Sequence, residues 1–129
     1  MLKKTISYVD FDGNERKEDH YFNLTKTELT EMEVGVVGGM SARLEKVIAD
    51  KDAPLLMSTF KDIVGKSYGI KSEDGKRFKK SPEITREFFE TLAYDTLFQE
   101  LCSDADKAAY FFRAILPATE KPAMTAPAN

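Results

Sequence analysis

The feature that most constrains this chain is a change of hydrophobic period at Thr25. Before it, apolar side chains alternate with polar ones through Leu2, Ile6 and Tyr8, and again through His20, Phe22 and Leu24, with Asp12-Gly13-Asn14 between the two runs. After it, apolar residues recur at helical spacing almost to the C-terminus. The pattern predicts an α+β fold, an N-terminal β-hairpin followed by a mostly helical body of about five helices and a flexible C-terminal tail. For the hairpin, a three-residue loop over Asp12 to Asn14 opposes Ile6 to His20 and Leu2 to Leu24. That gathers the apolar side chains on one face, whereas a two-residue loop at Asp12-Gly13 mixes the faces.

Thr25-Lys26-Thr27-Glu28 reads as a capping box, so a short helix is expected to about Glu33. Val34-Gly35-Val36-Val37-Gly38-Gly39 then interrupts it, because glycine is costly inside a helix and β-branched valine does little to rescue it. The segment is expected to be a hinge or an extended connector. From Met40 the helical pattern resumes with Leu44, Val47 and Ile48. Asp52-Ala53-Pro54 starts a further helix carrying Met57, Phe60, Val64 and Tyr68 on one stripe, with Gly69 as its stop. Ile70 to Lys80 reads as a polar loop with a turn at Asp74-Gly75, or as a small hairpin bringing in Phe78.

Ser81-Pro82-Glu83 combines an N-cap, a proline at the first helical position and an acid near the positive helix end. Ile84, Phe88 and Leu92 share one face of that helix, but Tyr94, Leu97, Phe98 and Leu101 fall nearly opposite, which predicts a break capped by Thr91. Ser103 is expected to begin the last helix, with Ala108, Phe111, Phe112 and Ile115 as its stripe. Pro117 ends it. Residues 1–117 thus form one expected domain and 118–129 a flexible tail, since the tail has further prolines and little apolar content to order it.

A chain of 129 residues can bury roughly two-thirds of its unfolded surface without disulfides or metal. Net charge of -3 gives no general attraction to nucleic acid or anionic lipid. The basic residues Lys71, Lys76, Arg77, Lys79 and Lys80 are interleaved with Glu73 and Asp74, as in a solvated loop. The only cysteine, Cys102, and the only histidine, His20, lie far apart in sequence, and a core thiol and a strand histidine account for them. Asp10 to Glu15 has the alternating oxygens of a calcium loop but Glu15 and Tyr21 where such a loop needs glycine and glutamate, so a hairpin turn explains it better. No phosphate-binding glycine pattern is present. The reading is of a non-enzymatic protein without cofactor or metal, in a reducing compartment, with no apolar run long enough for a membrane span.

Taken in order, several segments resemble one phage-encoded family. They are Asp10-Phe11-Asp12-Gly13-Asn14-Glu15-Arg16, Tyr21-Phe22-Asn23-Leu24-Thr25-Lys26, Phe60-Lys61-Asp62-Ile63 and Lys66-Ser67-Tyr68-Gly69. Ser72-Glu73-Asp74-Gly75-Lys76-Arg77-Phe78 and the stretch from Tyr94 to Leu101 complete the set. The order resembles tail assembly chaperones of siphophages and related prophages, from about Leu2 to Pro117. The resemblance implies a protein of the host cell cytoplasm that binds the tape measure protein non-covalently and keeps it soluble while the tail tube assembles. It further implies partnership with a frameshifted long form of the chain and with the tail tube protein, and leaves homo-oligomerisation open. The alternative is a structural virion component, a head-tail joining or tail completion protein. A holdase needs exposed apolar surface and adaptable segments, and the residues singled out for partner binding are Met32, Val34, Val36, Val37 and Met40. A connector tucked over the core is the competing reading of the same valines.

Overall fold

The computed structural model describes residues 1–35 and 39–116. Two strands, β1 (Leu2–Val9) and β2 (Glu15–Phe22), precede three helices, α1 (Lys26–Gly35), α2 (Gly39–Asp50) and α3 (Ala53–Ser67). A second pair of strands, β3 (Tyr68–Lys71) and β4 (Phe78–Lys79), leads into α4 (Pro82–Phe89), α5 (Leu92–Cys102) and α6 (Ala105–Ile115). The four strands form one sheet in the order β1-β2-β3-β4, antiparallel throughout. The α+β architecture is therefore present, with the N-terminal hairpin extended by a smaller one. The tail, residues 118–129, and Pro117 lie outside the described residues.

The hairpin register differs from the expected one. Leu2 pairs with Phe22 and Ile6 with Glu18, because the three-residue loop is Phe11 to Gly13, one position earlier than Asp12 to Asn14. The cause is Asp10. Its backbone N–H donates to the Asn14 carbonyl at 2.9 Å, and its carboxylate accepts the N–H groups of Asp12 and Asn14, each at 2.9 Å. Gly13, at φ +85°, takes the left-handed position that such a loop needs. The change moves each partner by two positions, so the apolar face survives. Ile6 and Phe22 are buried, and Leu2 and Tyr8 pack against the core.

That face is covered by the second half of the chain. Phe22 meets Phe88 of α4 and Phe111 of α6 edge-on, at 6.0 and 5.4 Å between ring centroids. His20 lies 5.1 Å from Phe88, and α5 runs against β1. Tyr68, expected on the α3 stripe, opens β3 instead and stacks on Phe88 at 4.2 Å. Gly69 accordingly ends no helix: α3 closes at Ser67. Its lack of a side chain serves the sheet, since a Cβ there would stand 2.6 Å from the Phe78 ring.

Local signals mark most helix ends. Thr25 and Glu28 form the capping box, with reciprocal bonds of 3.1 and 2.9 Å. Asp52, Ser81 and Thr91 cap α3, α4 and α5, so the break before Leu92 falls where the apolar phase changes. The cap of α6 is Asp104, not Ser103: its carboxylate accepts from the N–H groups of Asp106 and Lys107, a stronger acceptor at the positive helix end than a hydroxyl. α1 runs through Val34 and Gly35, past the expected stop near Glu33, and α2 opens at Gly39. Of the expected connector, only residues 36–38 fall between the helices, and they lie outside the described residues.

Candidate functional site

Of the residues singled out for partner binding, Met32 is the one whose side chain is described. It is 7% exposed, joins the core cluster, and lines the edge of a groove. Val34 belongs to α1 and Met40 to α2, with their side chains outside the described residues, as are Val36 and Val37. Val34 thus follows Met32 by two residues near the end of α1, and Met40 is the second residue of α2.

The groove is an open depression of about 1040 Å³, bounded by α1, the start of α2, α3 and α4. Met32, Gly65 and Phe89 supply its apolar surface, and charged side chains surround them. Two ion pairs lie in its lining. Arg43 donates to Asp62 at 2.8 Å, and the Lys80 ammonium lies 2.9 Å from both oxygens of Glu28. Lys61, Lys66 and Arg86 add three further exposed cations, with Glu31 as their acidic counterpart. Arg86 stands 4.0 Å from Glu90, too far for a strong pair.

Lys80 anchors one wall. Its ammonium also donates to the Asn23 carbonyl at 2.6 Å and to the Lys66 carbonyl at 2.9 Å. Burial acts to raise the Glu28 carboxyl, but hydrogen bonds from Lys80 and Thr25 outweigh it and hold the group below its usual range. Sequence reasoning placed Lys80 in a solvated loop and missed this clamp. The groove cations were missed as well, since they come from separate helices. The available signal was Gly65, a glycine inside an otherwise strong helical stripe.

The two candidate reactive groups have structural surroundings. His20 packs against the stacked pair Tyr68 and Phe88, with Nε2 3.7 Å from Glu18, and burial pushes its pKa down. Burial pushes the Cys102 thiol up, away from the reactive thiolate. Among the described residues no group of three or more His, Cys, Asp or Glu side chains is placed to hold a metal ion. No helix among them is long and apolar enough to cross a membrane. A smaller depression of about 350 Å³ lies between the start of β1 and α6, beside the exposed Tyr110.

Neither a curated protein nor a solved structure matches the chain. A family model does, over residues 1–126, running past Pro117 where the resemblance read from sequence stopped, and its description is phage tail assembly chaperone. With that match spanning both hairpins, all six described helices and the groove, the chain belongs to the phage tail assembly chaperone family.

Proposed function

We propose that this protein acts in the host cytoplasm by binding the tape measure protein non-covalently, keeping it soluble until tail tube subunits polymerise around it. The observation that carries the reading is the family match over residues 1–126. The open groove, rimmed by charge and floored by apolar side chains, supports it, since a holdase works through exposed surface of this kind and needs no positioned acid and base. The contact surface proposed for the partner includes the α1–α2 end, with Val34, Val36, Val37 and Met40 supplying apolar area beside the largely buried Met32. A frameshifted long form and the tail tube protein are further proposed partners.

Co-expression with the tape measure protein tests the reading. Wild type should move the partner into the soluble fraction and co-purify with it, and Val36→Ser with Val37→Ser should weaken both effects while circular dichroism stays unchanged. Purified virions should lack the chain, because a chaperone leaves the particle. Stoichiometric chain in virions would instead identify a structural component, and a tape measure protein equally insoluble with and without the chain would refute the proposal.

A further inference from the structure

We infer that the groove between α1, α3 and α4 seats an amphipathic helix of the tape measure protein whose apolar stripe is bordered by carboxylates. The inference rests on the function proposed above and adds the place and the chemistry of recognition.

Charge is the first argument. Within the groove Arg43 pairs with Asp62 and Lys80 with Glu28, which leaves Lys61, Lys66 and Arg86, the last only 4.0 Å from Glu90, against the single further acid Glu31 among the described lining residues. A cationic lining on a chain of net charge -3 is a local device, and it complements an acidic partner. The apolar part of the lining, the half-buried Phe89 with the edge of Met32, shares the groove with those cations and asks for an apolar stripe on the same partner. Helices form the walls, so a helix fits by ridge-into-groove packing and presents both features at i, i+3, i+4 spacing.

Gly65 is the second argument. It sits inside the 15-residue helix α3, where glycine weakens a helix. Nothing among the described residues demands it: a Cβ at this position would meet the Phe89 ring at 3.6 Å and the Thr85 methyl at 3.9 Å, both ordinary contacts. The Thr85 hydroxyl donates to the Gly65 carbonyl at 3.2 Å, and the missing side chain leaves space in the groove lining beside α4, which lets a partner helix approach closely, the role small residues play wherever helices pack tightly.

Other occupants fit less well. The chain's own residues 117–129 carry one acid and one base, Glu120 and Lys121, and so offer no net charge to the cations. Nucleic acid would match the cations, but the Phe89 ring that could stack on a base already stacks on Tyr94 at 4.2 Å.

The test uses the full-length chain, tagged and co-expressed with the tape measure protein. Capture is measured at rising salt with and without nuclease, and folding by circular dichroism. The triple variant Lys61→Glu, Lys66→Glu, Arg86→Glu should lower capture at least tenfold, and Gly65→Leu, which fills the floor without changing charge, should do the same. Lys17→Glu, on the exposed hairpin, should capture as wild type does. Wild-type capture should weaken as salt rises, and the tape measure fragments retained after limited proteolysis should be helical and acid-bordered. If the triple variant does not fold, Lys61→Gln with Lys66→Gln, alongside Gly65→Leu, decides by the same loss. Folded groove variants that capture as well as wild type would overturn the inference while the proposed function stands. No capture by wild type would remove both, and nuclease-sensitive capture would assign the groove to nucleic acid and overturn it.

Discussion

Lys80 shows how much one side chain can organise when its donors are all used. Its ammonium meets oxygens of Asn23, Glu28 and Lys66, joining the β2–α1 connection, the α1 cap and the end of α3. Lys80→Met keeps the stem and removes the charge, leaving a partly shielded carboxylate and two carbonyls without their donor. Urea melts should show a loss of about 1 to 3 kcal/mol. The Glu28 contribution has a definite sign. Its folded pKa is lowered, so its stabilisation is complete above the ordinary carboxyl range and is lost as pH falls through the folded value. Lys80→Met should flatten that acid limb. His20 titrates in another window: burial lowers its folded pKa, so the unfolded chain binds the proton more readily. Stability should be full above pH ~6.5 and decline as pH falls toward the folded value. His20→Phe should lose that part of the slope in melts at stepped pH. Among the rings, Phe60 and Phe112 have no exposed surface, and truncation of either to alanine should cost about 3 to 5 kcal/mol in denaturant melts. Phe98 is only partly buried and should cost less.

Elements formed where the sequence is self-sufficient were the legible ones. The Thr25–Glu28 box, Ser81 with Pro82, and the phase change at Thr91 each act within one turn of chain, and each stands where periodicity places it. The hairpin face was legible for a related reason, since a period of two survives any even shift. Its register was not, because it depends on the Asp10 carboxylate reaching two N–H groups across the loop rather than on any alternation. The start of α6 was a choice between adjacent acceptors that spacing alone does not settle. Asp104→Ala should cost about 1 kcal/mol and Ser103→Ala only a few tenths, a difference that thermal melts of the two variants can read. For α3, Gly65→Ala should stabilise the folded chain by about 0.5 to 1 kcal/mol, because the new methyl group fits and the unfolded chain loses freedom. A loss of stability would mean that the fold itself needs that glycine.

At the scale of the molecule the sequence was least informative, because the groove and the sheet are assembled from distant stretches. Lys61 and Lys66 come from α3 and Arg86 from α4, and no spacing rule links them. β3 reaches β2 only after three helices have intervened, and its signal, Tyr68-Gly69, reads as a helix end. The valine segment was legible both as an interruption and as a candidate contact surface, and its residues 36–38 lie outside the described residues. The way the hairpin is covered bears on how the chain is made. Phe22 is finished early, whereas Phe88 and Phe111, which cover it, are translated about 65 and 90 residues later, roughly 3 to 20 s at ribosomal rates of 5 to 20 residues per second. Through that interval the nascent hairpin carries an open apolar face, and a chain stopped after Cys102 should remain insoluble although all four described strands and five of the six described helices have been synthesised. Residues added beyond Ile115 emerge only after the last covering helix, so an extension at that end joins a core that can already close.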